Sequence, residues 1–152
     1  MTKIVRIEKN GGPEVLKIET INLGKPSAEE VQIEQKAIGL NFIDIYHRSG
    51  LYPVELPSGI GAEGAGIIKE IGSKVKDFSI GDHIAYAGAP LGSYSSERNY
   101  TTKNLVKIPK EIDFNTAATL MTKGLTTFYL LHKTYPVTAN ETVLFHAAAG
   151  GV

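Results

Sequence analysis

The sequence predicts a mainly β protein of the α+β class, in which a β-rich domain leads into the beginning of an α/β unit. Most of the chain before Pro109 consists of short apolar runs separated by glycine and proline turns. After Pro109 the composition changes to an alanine- and leucine-rich region typical of helices. A short apolar run, ETVLF, then predicts one further strand near the last residue.

Composition excludes several classes of function. The 152 residues carry 16 basic and 16 acidic side chains, so no charge excess favours nucleic acid or an anionic membrane. The absence of cysteine excludes disulfides and thiolate chemistry. The N-terminus alternates polar and apolar residues and does not resemble a signal peptide. We therefore expect a cytoplasmic protein with no nucleic-acid partner and no membrane partner.

The first elements are short strands. KIVRIEK alternates with period two, a turn at GGPEV follows, and VLKIETI alternates again. Consecutive strands joined by a short turn are expected to pair antiparallel. EEVQIEQKAIG, the run Ile67–Ile71, IAYA and the stretch from GSYSS to LVKIP predict further strands.

The stretch NFIDIYHRSG interrupts the strands with a short helix. Asn41 is a candidate N-cap, and Gly50 is expected to end the helix. The polar and aromatic groups around it form a candidate cleft wall. Taken alone, however, the residues favour a capped surface helix, because Asp44 follows Asn41 at capping spacing. The candidate groups are Asn41, Asp44, Tyr46, His47 and Tyr52.

Glu63 lies among small residues in GAEGAG, where a strand enters the core. A buried carboxylate needs hydrogen-bond partners. We therefore expect Glu63 to be a structural group that orders a loop by accepting backbone N–H bonds.

The region DFNTAATLMTKGLTTFYLLHKTY predicts two helices divided at Gly124, with Asp113 and Thr116 as caps. A strand over Thr142–Phe145 follows, and HAAAGGV ends the sequence. Glycines after a strand are needed where backbone N–H groups approach a phosphate, but ordinary turns use them as well. Both interpretations of Gly150 and Gly151 stay open on these residues alone.

The sequence offers little support for a metal site or a hydrolytic site. The four histidines, His47, His83, His132 and His146, have no spacing suited to zinc. The serines near position 95 lack the G-x-S-x-G elbow of a nucleophile. We therefore expect no metal.

The motifs NGGPEVLKIE, AIGLNFIDIYHRSGLYP, GAEGAGII, IGDHIAYA, KGLTTFYLL and LFHAAAGGV together resemble the zinc-free quinone oxidoreductases, near the zeta-crystallin branch of the medium-chain dehydrogenase/reductase superfamily. The resemblance runs almost from end to end. It implies an NADPH-dependent enzyme of about twice this length, of which the chain is the N-terminal part. Zinc-binding members of the superfamily place a Cys in the stretch matching Asn41 and a His in the stretch matching Ala62, and both are absent here.

The same resemblance implies the domain organisation. Residues 1–122 are expected to form a GroES-like, partly open β-barrel that makes one wall of the active site. Residues 123–152 are expected to be the hinge helix and the first strand of a truncated Rossmann domain. With their partners missing, the helix Asn115–Tyr135 and the strand should expose an apolar face, pack on another copy of the chain or fold back. The full-length protein is expected to be a homodimer.

Residue roles follow from the resemblance only. The stretch Asn41–Tyr46 matches the segment beside the nicotinamide and its ribose, and Tyr46 and Tyr52 are the candidate catalytic donors. Lys123 and Tyr129 match positions near the phosphate and ribose of the cofactor, while Gly150, Gly151 and Val152 match the start of the pyrophosphate loop. The complete set of expected cofactor contacts is Asn41, Phe42, Ile43, Asp44, Ile45, Tyr46, Lys123, Tyr129, Gly150, Gly151 and Val152.

The expected reaction is hydride transfer from NADPH to a quinone or a similar conjugated carbonyl. Two alternatives stay open from the sequence. One is an enoyl or alkenal double-bond reductase of the same superfamily. The other is a GroES-like module that binds a partner without catalysis, since a fold does not determine a function.

Overall fold

The computed structural model describes residues 1–152 and contains eight strands and two α-helices. The strands are β1 (Thr2–Ile7), β2 (Lys17–Ile21), β3 (Glu30–Gly39), β4 (Ser58–Gly59), β5 (Glu63–Ile71), β6 (His83–Ala87), β7 (Glu97–Thr101) and β8 (Leu105–Lys107). The α-helices are α1 (Phe42–Ser49) and α2 (Phe114–Tyr129). Shorter helical segments are the 3-10 turns Pro13–Val15 and Thr102–Asn104 and the π-helix Leu130–Thr134. The predicted mainly β class is confirmed.

The larger sheet is curved into a partly open barrel. Its strand order is β7-β3-β5-β6-β8, and every pairing is antiparallel. The edge strands β7 and β8 are joined by only three residues, Thr102–Asn104. In a flat sheet these edges would lie about 19 Å apart, whereas four Cα steps reach only about 14 Å. The sheet must therefore curl until its edges approach each other.

The smaller sheet has the order β2-β1-β4. Its β1–β2 pairing is antiparallel, with Thr2 opposite Ile21, which confirms the prediction for the first two strands. The segment around Tyr94 joins it to the larger sheet, because the N–H of Val5 donates to the carbonyl of Tyr94 at 2.8 Å.

Two clusters hold the larger sheet together. Small residues allow α2 to pack closely on the sheet: Ala117 and Ala118 contact Ala65 and Ala85. At Gly39 a Cβ atom would clash with the backbone carbonyl of Ala118, so no larger residue fits there without moving the helix. The main core cluster is made of Val31, Ile33, Ile68, Ile84, Tyr86, Tyr100 and Leu105.

Helix α1 forms where the sequence predicts it. The carboxylate of Asp44 accepts a 3.0 Å hydrogen bond from the backbone N–H of Asn41, which precedes the helix. Gly50 ends the helix in the left-handed conformation, with φ of 86°. Both boundary residues expected from the sequence are confirmed.

The prediction that Gly124 divides two helices is wrong. Helix α2 continues through Gly124, and its N-terminus is capped by Asp113, which accepts from Asn115 and Thr116. One interior glycine costs a helix only about 1 kcal/mol relative to alanine. The packing of α2 on β3, β5 and β6 outweighs that cost.

The predicted strand Thr142–Phe145 is also wrong, because these residues have no regular secondary structure. A strand satisfies its backbone N–H and C=O groups on a neighbouring strand, and here none lies beside them. The expectation of an exposed apolar face is confirmed. Its members on α2 and in the segment that follows include Leu125, Phe128, Val143, Leu144 and Phe145.

Candidate functional site

A cleft of about 870 Å³ lies between the start of α1, the middle of α2 and the last residues of the chain. The first wall includes Asn41–Ile45, and the second includes Thr122, Lys123 and Thr126. Gly150–Val152 contribute a third side. Residues from three of the motifs described above, NFIDIYHRSG, KGLTTFYLL and HAAAGGV, therefore line the same cleft.

The first wall is largely apolar. Phe42 is 77% exposed, and Ile43 and Ile45 are also exposed, because the short α1 buries only Asp44. Exposed apolar side chains gathered at a cleft favour contact with a flat, uncharged ligand surface. This wall can therefore pack against an aromatic or heteroaromatic ring.

Asp44 is buried behind this wall, with 3% of its surface exposed. Its Oδ2 atom accepts hydrogen bonds from the backbone N–H of Asn41 at 3.0 Å and from the hydroxyl of Tyr94 at 2.9 Å. Its Oδ1 atom has no hydrogen-bond partner. Burial, and then the charge and hydrogen bond of Asp44, raise the pKa of the Tyr94 hydroxyl. Tyr94 is therefore a firm hydrogen-bond donor to Asp44.

Glu63 connects the first two walls from below. It is fully buried, and its Oε2 atom accepts a 2.6 Å hydrogen bond from Nδ2 of Asn41. Its Oε1 atom accepts a 2.7 Å hydrogen bond from the backbone N–H of Thr122 in α2. Glu63 therefore accepts a backbone N–H, as expected, but the donor belongs to helix α2 and not to a loop. The contact with Asn41 was not expected and ties Glu63 to the site.

Lys123 makes a second connection across the cleft. Its Nζ atom donates to the carbonyl oxygen of Leu40 at 3.1 Å. Its aliphatic stem lies against Gly151, where an added Cβ atom would stand 3.0 Å from Cε of Lys123. Gly151 therefore lets the last residues of the chain lie close to Lys123. The Lys123 ammonium and the turn Gly150–Val152 thus lie on the same cleft.

Three of the expected site residues lie outside the lining of this cleft. The rings of Tyr46 and Tyr52 contact each other in a tilted arrangement, with centroids 5.3 Å apart and planes inclined at 55°. Tyr46 also lies 6.5 Å from the ring of Phe42, which does line the cleft. Tyr129 is exposed further along α2. Tyr46 and Tyr52 therefore border the Phe42 end of the cleft, and Tyr129 lies outside its lining.

Several residues that line the cleft are not among those selected from the sequence. Tyr94 lies in a serine-rich stretch between strands, and Ile60 and Leu16 look like ordinary core positions. Arg48 follows Asp44 by four residues on α1, so both side chains lie on the same face of the helix. This spacing would have allowed Arg48 to be predicted from the sequence. Tyr94 carried no comparable signal, because its position depends on how the two sheets meet.

No group of three or more His, Cys, Asp or Glu side chains is placed to bind a metal ion. Neither α-helix is long and apolar enough to cross a lipid bilayer.

Comparison with known proteins identifies related chains. The profile of the "Alcohol dehydrogenase GroES-like domain" family matches residues 27–138. A quinone oxidoreductase of Pseudomonas aeruginosa is 52% identical over 153 aligned positions, which cover 100% of this chain and 47% of that protein. A 2-haloacrylate reductase of a Burkholderia species is 42% identical, covering 96% of this chain and 46% of that protein.

A solved structure agrees with these relatives. The crystal structure of Escherichia coli quinone oxidoreductase complexed with NADPH superposes with a TM-score of 0.94 at 48% identity. The match covers 97% of this chain and 46% of that one. The chain thus spans about half the length of the curated relatives it matches. The predicted resemblance to quinone oxidoreductases is confirmed, and the chain belongs to the alcohol dehydrogenase GroES-like domain family.

Proposed function

We propose that this chain forms the N-terminal part of an NADPH-dependent oxidoreductase that reduces a quinone or a similar conjugated carbonyl. The observation that carries the proposal is the cleft, in which the stretch Asn41–Ile45, Lys123 and the turn Gly150–Val152 meet. Chains named quinone oxidoreductase share about half of their aligned residues with this one. The 152 residues supply part of the site, and the full-length protein carries the activity.

The residues of the cleft fit a dinucleotide. Gly151 lies so close to the stem of Lys123 that a Cβ atom would crowd it, and the Lys123 ammonium is a cation suited to a phosphate. Asn41 lines the cleft with its amide group, whose NH2 is held by Glu63, and the apolar wall beside it suits a flat ring. We assign Asn41–Tyr46, Lys123, Tyr129 and Gly150–Val152 to the cofactor site.

When bound, NADPH supplies the hydride. The chain's own residues orient and shield the reacting groups: Phe42, Ile43 and Ile45 exclude water from one face, and Asn41 fixes the ring's position through a hydrogen bond. Tyr46 and Tyr52, which pack against each other beside Phe42, are the candidate donors to the substrate oxygen. A quinone requires little further stabilisation, because its reduced ring is aromatic and delocalises the developing charge.

We propose that the reaction uses no metal, because Asn41 and Ala62 occupy the positions where zinc-binding relatives carry Cys and His. The division into residues 1–122 and 123–152 is likewise our proposal, and it falls within α2. We further propose that the full-length protein is a cytoplasmic homodimer.

A second candidate function is reduction of a carbon–carbon double bond conjugated to a carbonyl or carboxylate. It is favoured by the 42% identity to a 2-haloacrylate reductase. Both reactions add hydride to an electron-poor π system, so the same cleft serves either one. The ratio of kcat/KM for 1,4-benzoquinone and 2-chloroacrylate separates them.

The test is titration of the full-length protein with NADPH, followed by nicotinamide fluorescence, together with NADPH oxidation by 1,4-benzoquinone. We expect saturable binding and turnover. Lys123→Met should raise the NADPH dissociation constant about tenfold, because a charge-assisted contact is lost. Lys133→Met is the matched control, because Lys133 is exposed and lies outside the cleft lining. A folded full-length protein that binds no NADPH would refute the proposal.

A further inference from the structure

We infer that Glu63 is a positioning residue that turns the Asn41 side chain so that its amide oxygen, and not its NH2 group, is offered to the cleft. This rests on the proposed function, since the ligand of that oxygen is taken to be the nicotinamide-ribose portion of NADPH. The group recognised would be a hydroxyl or amide N–H donor. Glu63 itself is buried beneath the cleft and touches no ligand.

The argument begins with the hydrogen-bonding capacity of Glu63. An ionised carboxylate accepts hydrogen bonds and cannot donate them. The backbone N–H of Thr122 occupies Oε1 at 2.7 Å, so Oε2 is the atom that faces Asn41. At 2.6 Å only the NH2 group of Asn41 makes a favourable contact with that oxygen. The amide orientation is therefore imposed by the carboxylate.

The backbone of Asn41 is fixed independently. Its N–H donates to Oδ2 of Asp44 at 3.0 Å, and Asp44 is held in turn by the hydroxyl of Tyr94. With the backbone and Nδ2 both anchored, Oδ1 is the remaining polar atom of the side chain. It also faces the backbone N–H of Asp44 in the capping box, and its second lone pair is left for a ligand in the cleft that Asn41 lines. The buried carboxylates of Asp44 and Glu63 thus hold Asn41 in place, and its amide oxygen is the acceptor available to the ligand.

The cost of this arrangement supports a functional role. Glu63 is fully buried, and no lysine, arginine or histidine forms an ion pair with it. A buried carboxylate satisfied only by neutral donors is less favourable for folding than an apolar residue of similar size. The contacts of Glu63 instead join the start of α1 to α2 across the base of the cleft. They also determine which way the amide group of Asn41 points.

The decisive variant is Glu63→Gln in the full-length protein. The backbone N–H of Thr122 is a donor and cannot face the glutamine NH2 group, so the glutamine directs its oxygen to Thr122 and its NH2 group toward Asn41. Asn41 then has to turn its oxygen to the glutamine and present NH2 to the cleft. We expect the NADPH dissociation constant to rise about tenfold or more, because a ligand donor would then face a protein donor. Glu70→Gln, an exposed change on the same strand, is the matched control and should have no effect.

A double variant tests directly whether the group at position 41 must offer an acceptor to the cleft. In Glu63→Gln combined with Asn41→Asp, the glutamine NH2 donates to one oxygen of the aspartate, and the other oxygen faces the cleft. We expect NADPH affinity to recover to within about threefold of the wild type. Failure of the double variant to recover, when its thermal midpoint matches that of Glu63→Gln, would overturn the inference.

An independent readout comes from the side-chain NH2 signals of Asn41 in 15N-edited NMR spectra, assigned by their loss in Asn41→Asp. These protons should exchange slowly with solvent in the wild type and rapidly in Glu63→Gln. Unchanged exchange would contradict the inference even if Glu63→Gln lowers stability. If the wild type shows slow exchange but binds no NADPH, the proposed function fails while the amide orientation stands.

Discussion

The hydroxyl of Tyr94 donates a 2.9 Å hydrogen bond to Oδ2 of Asp44, 50 residues earlier in the chain. Asp44 is the only buried residue of α1, and its other carboxylate oxygen has no partner. The contact therefore fixes the helix that carries the first wall of the cleft to the segment between the two sheets. The position of the cleft wall depends on this pair.

We predict that Tyr94→Phe lowers the free energy of unfolding by about 1–3 kcal/mol at pH 7, because it leaves a buried carboxylate oxygen with one donor fewer. Urea unfolding followed by circular dichroism measures the change. Tyr129→Phe is the control, because Tyr129 is exposed and its hydroxyl makes no hydrogen bond to the protein. Equal stability of the two variants would show that the Tyr94–Asp44 contact contributes nothing.

The same pair predicts how stability depends on alkaline pH. The pKa of Tyr94 is raised, first by burial and then by Asp44, so the folded protein holds this proton more tightly than the unfolded chain. The resulting stabilisation is fully present below the unfolded tyrosine pKa of about 10 and is lost as pH rises above it. Tyr94→Phe should therefore flatten the fall in stability between about pH 9.5 and 11. An unchanged pH profile would contradict the assignment.

Substitution of Arg98 should lower stability more than substitution of Tyr94. Arg98 is 6% exposed, stacks over Tyr86 and Tyr100, and donates to the carbonyl of Pro90 at 2.7 Å. No carboxylate pairs with it, so backbone and hydroxyl groups alone satisfy its charge. Arg98→Met should lower the free energy of unfolding by about 2–4 kcal/mol, as measured by urea unfolding, because the carbonyls of Pro90 and Leu91 lose their donor and the buried guanidinium loses its packing on the tyrosine rings. Arg6→Met, which breaks an exposed ion pair with Glu19, should cost less than about 1 kcal/mol.

Local patterns in the sequence predict much of the fold. Alternation identifies β1 and β2, and capping residues identify the limits of α1, because both signals depend on neighbours within a few residues. The same reasoning wrongly predicts a strand over Thr142–Phe145. Its apolar run has the right composition, but a strand also requires a paired neighbour, which composition does not report.

The candidate site is less predictable from the residues alone. Asn41 and Asp44 have equally good explanations as capping residues, and only the resemblance to a family connected them with Lys123 and Gly151. The link from Glu63 to Asn41 joins residues 22 positions apart through a contact beneath the cleft. Periodicity carries no information about such contacts, because they depend on how β5, α1 and α2 pack together.

Gly39 predicts a steric effect at the base of the cleft. A Cβ atom there would clash with the carbonyl of Ala118 and lie 2.6 Å from Oε2 of Glu63. Gly39→Ala should lower the free energy of unfolding by about 1–3 kcal/mol, because α2 has to move away from the sheet. Urea unfolding detects the loss. It should also weaken NADPH binding by the full-length protein, since Glu63 is displaced. A fully stable Gly39→Ala variant would show that α2 moves away at no cost.

Substitution of Gly124 by alanine should raise stability, whereas the same change at Gly39 should lower it. Gly124 lies inside the continuous helix α2, where an added Cβ atom would meet only the flexible end of Leu120 at 3.2 Å. Gly124→Ala should raise the free energy of unfolding by about 0.5–1 kcal/mol, because alanine loses less conformational freedom in a helix. The thermal midpoint, followed by circular dichroism at 222 nm, measures the gain. A lower midpoint would mean that the glycine is required, and that α2 bends at the position where the sequence predicted its division.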